Sequence, residues 1–218
     1  MIKIKGVFLY YSRKLKNIGI AGLAQGSIES GINLFLYFFF RFDYWHVGAA
    51  YHLKPYKKQV VDIVNSISPD VVVEVGVGLG DILSRTSARN KVGIDLDVNV
   101  IKAARFIHRK IDFICGSLNR LDDVVFESNI SDIDILVMCN WLHDVKFNEI
   151  KKSIHDLQSK VSVKYLLIDV INSDVSGYTY KHTIDQCKDL GNVVNIIKSN
   201  DNVRNFVLIH LDSTIRSE

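Results

Sequence analysis

The sequence predicts an α/β fold. We expect a doubly wound, mostly parallel sheet of seven strands that ends in an antiparallel hairpin and is preceded by an N-terminal helical extension. Continuous apolar runs alternate with helical patterns between residues 56 and 170, which is typical of parallel strands covered on both faces. The last two strand patterns are joined only by residues 199–202. That connection is too short for a helix, so this pair is expected to be antiparallel.

Each element follows from its own pattern. The helix predicted over Tyr56–Ile67 has one apolar face, and Pro55 suits its first turn. Asp97 is a natural N-cap for the helix predicted over Val98–Arg109. Two further helices are predicted over Asp81–Thr86 and Asn148–Gln158, and the strands over Val71–Val75, Val92–Asp95, Asp112–Cys115, Ile133–Met138, Tyr165–Val170, Val193–Lys198 and Asn205–Leu211.

The composition is that of an ordinary globular protein, with 218 residues of which 48% are apolar and 23% charged. We expect one domain over residues 55–218, preceded by an extension over residues 1–54. The net charge is +3 and no long basic block is interleaved with aromatic residues, so no nucleic-acid partner is expected. Cys115 and Cys139 fall in apolar strand patterns and, with Cys187, predict unpaired thiols in a reducing, cytoplasmic compartment, the first two of them buried.

The extension contains the apolar run Ile32–Phe40, which is shorter than the roughly 20 residues that a membrane span requires. One interpretation is a helix packed on the main domain or in a homodimer interface. The other is a peripheral contact with the inner face of the membrane. In that case the aromatic side chains enter the interface, and the acid-free basic stretch Lys3–Lys16 faces anionic lipid.

Residues 74–80, with the sequence Glu-Val-Gly-Val-Gly-Leu-Gly, come where the first strand gives way to the next helical pattern. Glycines there permit a tight turn and let a ligand approach the main chain, and a following helix would offer unpaired N–H groups. Asp95 ends the next strand, at a distance typical of a carboxylate that binds ribose hydroxyls. These features together predict a nucleotide-type site on a doubly wound sheet.

These motifs resemble those of the class I S-adenosylmethionine-dependent methyltransferases. Residues 74–80 are similar to the first motif, Gly-Ile-Asp ending at Asp95 to the second, and residues 134–143 to the fourth. The resemblance implies a Rossmann-like fold and S-adenosylmethionine as the cofactor. It implies cofactor contacts from Glu74, Gly76, Gly78, Gly80, Asp95, Leu96, Gly116, Ser117, Asn140 and Trp141. Many members carry an acidic residue after the third strand, where this chain has Cys115-Gly116-Ser117.

A narrower similarity concerns Phe42-Asp43-x-Trp45-His46-Val47, followed by Pro55-Tyr56. It is shared with small bacterial methyltransferases found among polysaccharide and lipopolysaccharide assembly enzymes. It implies a small-molecule or glycan acceptor, methylated on a hydroxyl. Aromatic and histidine side chains that could shape the acceptor pocket are Trp45, His46, Tyr178, Tyr180 and His182.

An alcohol acceptor must lose a proton, which a histidine can take. His143 is the preferred base, oriented by Asp144 or Asp169, and His46 and His182 are alternative bases. His143 could instead only line the cofactor pocket. The places where related enzymes bind magnesium read Cys139-Asn140 and Asp169-Val170, which offer one carboxylate, so no metal is expected.

Three functions stay open from the sequence. The leading one is O-methylation of a sugar or another small hydroxyl compound in surface polysaccharide synthesis. A second keeps the methyltransferase fold but uses a nitrogen acceptor or a different small metabolite. The third is a non-catalytic scaffold, against which the three closely spaced glycines argue.

Overall fold

The computed structural model describes residues 2–211, with side chains from residue 18 onward. It contains a seven-stranded sheet with the strand order β3-β2-β1-β4-β5-β7-β6. The strands are β1 Val71–Val75, β2 Asn90–Asp95, β3 Asp112–Cys115, β4 Asp132–Met138, β5 Ser162–Ile171, β6 Asn192–Lys198 and β7 Arg204–His210. Strands β1 to β5 are parallel, whereas β7 runs antiparallel to both β5 and β6. The predicted fold is confirmed.

Six α-helices flank this sheet in the described residues. They are α1 Ile2–Phe40, α2 Pro55–Ser66, α3 Val98–Ile107, α4 Leu121–Glu127, α5 Phe147–Gln158 and α6 Ile184–Lys188. The predicted cap of α3 is confirmed, because the Asp97 side chain accepts from the backbone N–H groups of Asn99 and Val100. The two short helices α4 and α6 were not predicted.

Two sequence predictions are wrong. The helix expected over Asp81–Thr86 is only a 3-10 turn, Leu83–Arg85, and Thr86 is already extended with ψ 156°. The helical N-terminus expected behind the glycines therefore does not form. Cys115 is exposed rather than buried, because β3 is an edge strand, while Cys139 and Cys187 are buried.

Two apolar layers cover the sheet. One face packs β-strand residues such as Ile94, Leu136 and Ile168 against α4 and α5. The other face packs residues such as Val72, Val137 and Leu167 against α2. Because both faces are buried, the parallel strands are continuously apolar, which explains why their alternation is lost in the sequence.

The N-terminal extension packs onto the edge of this domain. Leu36, Phe42 and Val47 form one buried cluster with residues of the glycine loop and of α3, such as Leu79 and Val100. Helix α1 is interrupted at Gly19, whose φ of 68° and ψ of 176° are not helical. Within residues 2–211 no helix is long and apolar enough to cross a membrane.

Candidate functional site

The glycine loop lies at the carboxyl ends of the parallel strands, where doubly wound sheets bind ligands. Gly76, Gly78 and Gly80 have φ of 72°, 55° and 81°, a region that L side chains rarely adopt. A Cβ at Gly76 would lie 2.4 Å from the indole of Trp141, and one at Gly80 would lie 2.9 Å from Phe113. At Gly78 the nearest atom is the His46 imidazole at 3.4 Å. Two of the glycines thus have a packing reason as well as a backbone one.

The Asp95 carboxylate fixes the loop from the neighbouring strand. One oxygen accepts from the N–H of Gly78 at 2.9 Å, and the other accepts from the N–H of Asp97 at 3.1 Å. A carboxylate has about four acceptor sites, so capacity remains for other donors. The side chain also borders a cavity, and ribose hydroxyls would find acceptors there.

This cavity of about 310 Å³ adjoins the glycine loop and has mostly apolar walls. Many of the predicted cofactor residues line it, namely Gly76, Asp95, Leu96, Gly116, Ser117, Asn140 and Trp141. Its remaining walls are Trp45, Val75, Leu118, Cys139 and Val145. The Trp141 indole N–H donates to the Val75 carbonyl at 2.7 Å, which fixes the ring against Gly76.

A narrower cavity of about 40 Å³ shares Trp45, Gly76, Cys139 and Asn140 with the first, so the two adjoin. The predicted cofactor residues Glu74 and Gly78 line it, whereas Gly80 lines neither cavity.

Glu74 is buried at the wall of this narrow cavity, and its carboxylate accepts from the N–H of Leu83 at 3.0 Å. Burial raises the pKa of Glu74 to about 8. The side chain therefore holds the 3-10 turn in place and tends to keep its proton near neutral pH.

Lys57 and Asp81 also line the narrow cavity and were not singled out from the sequence. The Lys57 ammonium lies 2.6 Å from the Asp81 carboxylate and donates to the Ala49 carbonyl. Lys57 is only 8% exposed. In the sequence it stands on the charged face of α2, and only the fold brings the glycine loop and the extension against it.

Trp45 and His46, predicted to bind the acceptor, come from a 3-10 turn in the extension, Tyr44–Ala49. Both line the narrow cavity, and their rings stack with centroids 3.7 Å apart. His46 is buried and Trp45 is 59% exposed. Burial lowers the pKa of the His46 imidazole below its ordinary value of 6.5. The extension therefore completes the wall of the same site that the glycine loop begins.

Asn140, two residues after the end of β4, is left-handed, with φ of 72°. Its N–H donates to one oxygen of Asp169 at 2.7 Å, and its side-chain oxygen accepts from Arg204 at 2.9 Å. Arg204 also donates to the second Asp169 oxygen at 2.6 Å. Asp169 is therefore paired with Arg204 and Asn140 rather than with His143. Arg204 was missed, because a lone arginine in a strand pattern gives no signal of its partners.

His143 lies in the 3-10 turn Leu142–Asp144, and its Nε2 is 3.5 Å from an Asp144 oxygen. The Tyr178 ring meets it edge-on, with centroids 4.6 Å apart. His143 is not among the residues that line the two adjoining cavities. Of the predicted orienting carboxylates, only that of Asp144 is near it.

Tyr180 and His182 line a separate cavity of about 340 Å³ together with Lys146, Phe147 and Gln186. His182 is buried, and its Nε2 lies 2.9 Å from the Leu142 carbonyl. The structure thus separates the predicted acceptor residues: Trp45 and His46 line the narrow cavity, Tyr180 and His182 line this one, and Tyr178 packs against His143 and lines neither. Within residues 18–211 no group of three His, Cys, Asp or Glu side chains is placed to hold a metal ion.

Comparison with solved structures identifies proteins of similar fold. One is N-methyltransferase NodS from Bradyrhizobium japonicum WM9, solved with S-adenosyl-L-homocysteine. Its TM-score is 0.59 at 12% sequence identity, and the alignment covers 72% of this chain and 85% of the NodS chain. Another is magnesium protoporphyrin IX methyltransferase (ChlM) from Synechocystis PCC 6803, also with bound S-adenosyl-L-homocysteine. Its TM-score is 0.58 at 11% sequence identity, and the alignment covers 72% of this chain and 84% of the ChlM chain. The chain therefore has the S-adenosylmethionine-dependent methyltransferase fold. TehB from Haemophilus influenzae is similar too, with a TM-score of 0.55 and 16% identity, over 71% and 62%. No family model and no curated protein matches the sequence.

Proposed function

We propose that this protein is an S-adenosylmethionine-dependent methyltransferase. The observation that carries the proposal is the cavity of about 310 Å³ at the carboxyl ends of the strands, bordered by both the glycine loop and Asp95. A scaffold without a ligand has no need to keep a carboxylate with free acceptor capacity beside an apolar cavity. Gly76 and Gly80 are also required by packing against Trp141 and Phe113, so their presence does not by itself indicate a ligand, whereas the cavity does.

The residues present fit this cofactor. Asp95 would accept from the ribose hydroxyls, and the apolar walls formed by Leu96, Leu118 and Trp141 would pack against the adenine. In the narrow cavity, Asp81 and Lys57 offer opposite charges that suit the ammonium and the carboxylate of the amino-acid end. Bound there, the cofactor supplies a methyl group activated by a positively charged sulfur.

We propose a hydroxyl of a sugar or another small compound in surface polysaccharide synthesis as the acceptor. The resemblance around Trp45-His46 supports this choice, and the exposed Trp45 ring at the cavity suits stacking on a sugar. His46 is favoured over His143 as the base, because His46 lines the narrow cavity beside Trp45 whereas His143 lines neither cavity, and the lowered pKa of His46 keeps its imidazole neutral at physiological pH.

Calorimetric titration of the protein with S-adenosylmethionine tests the cofactor, and binding in the micromolar range is expected. A screen for transfer of labelled methyl to sugar nucleotides and lipid-linked glycans then tests the acceptor. Absence of binding at millimolar cofactor would overturn the methyltransferase proposal. Transfer to amines alone would replace the hydroxyl acceptor with a nitrogen one.

A further inference from the structure

The outward face of α1 is an uncovered apolar stripe. Its members follow one another at intervals of three or four residues, so they share one side of the helix. They are Ile20, Ala24, Ile28, Ile32, Phe35 and Phe39, and the five larger side chains are 51% to 79% exposed. Leu34 and Phe38 beside the stripe are exposed as well. Contiguous exposed apolar surface of this kind marks an interaction site.

The inward face of the same helix carries the polar side chains Glu29 and Asn33 beside the buried Leu36. Glu29 turns toward the domain, where its carboxylate lies 2.8 Å from His52 Nδ1 and 2.9 Å from Arg85 Nη2. Asn33 is buried and donates to the His46 carbonyl. Glu29 is the only charged residue between residues 18 and 40. The helix is therefore apolar on its outward side as well as toward the domain, where a surface helix usually carries charged residues, and such an outer side is normally covered by something apolar.

Charge indicates what covers it. Residues 1–28 contain five basic residues and no acidic one, namely Lys3, Lys5, Arg13, Lys14 and Lys16. Phenylalanine, tryptophan and tyrosine beside basic residues are typical of helices that lie in a membrane interface. In a dimer that meets through this stripe, two copies would bring ten basic residues into one assembly, where their charges repel one another. An anionic lipid surface would attract the same charges, so lipid is the better partner.

We propose that the apolar stripe of α1 binds the surface of an anionic lipid bilayer, with the basic residues 3–16 contributing the electrostatic part. A few residues after the end of α1, the rings of Tyr44 and Trp45 are exposed as well. Trp45 borders both cavities of the candidate site. The binding itself does not depend on the methyltransferase proposal.

Sedimentation of the full chain with vesicles tests this proposal. Vesicles of phosphatidylcholine with one quarter phosphatidylglycerol should enrich the protein, and binding should weaken at 0.5 M salt because the charges are screened. The double variant Phe35→Asp/Phe39→Asp should bind at least about tenfold more weakly, since it places two carboxylates against the lipid. Phe126→Asp is the matched control: Phe126 is exposed to 60% on α4, and its variant should bind like the wild type.

A second variant, Lys14→Glu/Lys16→Glu, leaves the stripe intact and should weaken binding to anionic vesicles by about tenfold or more. Absence of enrichment of the wild-type protein on anionic vesicles would overturn the proposal. The proposal would also be overturned if light scattering showed a wild-type dimer that Phe35→Asp/Phe39→Asp dissociates, while the same variant bound vesicles as well as the wild type does. Thermal melting of each variant checks that these exposed substitutions leave the fold intact.

Discussion

Arg204 and Asp169 form an ion pair in the interior of the protein, 2.6 Å apart, with each residue 4% exposed. Strands β7 and β5 contribute one partner each, and both partners also hold Asn140 after β4. The Tyr56 ring lies 4.6 Å below the guanidinium. One buried network therefore fixes the left-handed residue at the edge of the candidate site.

Arg204→Met should lower the free energy of unfolding by about 3–5 kcal/mol, because it leaves the Asp169 carboxylate buried without a cation. Denaturant unfolding measures this change. The control is Arg89→Met, whose pair with Asp70 is exposed and should contribute at most about 1 kcal/mol. Equal losses of unfolding free energy for the two substitutions would show that the buried pair contributes no more to stability than the exposed one.

Asp95→Asn should weaken cofactor binding by about 1.5–3 kcal/mol, because a charge-assisted hydrogen bond to the ribose is replaced by a neutral one. Calorimetric titration with S-adenosylmethionine measures the dissociation constant. Asp97→Ser keeps an N-cap on α3 and removes a nearby charge, so it should bind almost as the wild type does. An unchanged constant for Asp95→Asn would place the ribose elsewhere.

Gly76→Ala should destabilise the protein more than Gly177→Ala. Both positions have positive φ, 72° and 90°, so both substitutions incur the backbone strain of about 1–2 kcal/mol. Only at Gly76 would the new Cβ also meet the Trp141 ring, whereas nothing lies within 4 Å at Gly177. The extra loss should be about 1–3 kcal/mol in thermal or denaturant unfolding. Similar losses would mean that the indole moves aside at little cost.

The buried Glu74 should make stability fall as the pH rises. Its pKa is about 8 in the folded protein, above the ordinary value of 4.5, so the folded state holds a proton that the unfolded state has lost. The contribution is present below pH 4.5, decreases by at most about 1.4 kcal/mol per pH unit, and is lost above pH 8. Glu74→Gln should remove this dependence in unfolding experiments from pH 5 to 9. Parallel curves for the two proteins would contradict it.

His46→Gln should lower turnover much more than His143→Gln, because His46 lines the narrow cavity and His143 lines neither cavity of the site. A general base typically contributes about 10²–10⁴-fold to the rate. Burial lowers the pKa of His46, so the fall of wild-type turnover with decreasing pH should have its midpoint below the ordinary imidazole value of 6.5. Cofactor affinity, measured in parallel, separates loss of the base from loss of binding. The reverse ranking would restore His143 as the base.

The strands and the cap at Asp97 were readable from the sequence, because apolar runs and local capping depend on neighbours in the chain. The helix expected at Asp81–Thr86 does not form, because the segment before β2 is too short: Thr86 is already extended and β2 begins at Asn90. In the site, Asp95, Ser117 and Trp141 were predicted to meet, and they line one cavity.

Charged residues whose partners are remote in sequence could not be assigned. Lys57 pairs with Asp81 across 24 positions, and Arg204 reaches Asn140 across 64. Either residue, seen alone, looks like an ordinary surface cation. The separation of His143 from the cavity was equally invisible, because it depends on how the 3-10 turn after β4 directs each side chain.

Residues 36–49, which include the 3-10 turn that carries Trp45 and His46, pack against the main domain and complete its candidate site. A chain shortened to begin at Pro55 would keep every strand, yet it would uncover Leu79 and Val100 and open the narrow cavity on one side. Such a fragment would retain the sheet but lose the cavity wall that Trp45, His46 and Ala49 form. An assay performed on it would therefore understate what the whole protein can do.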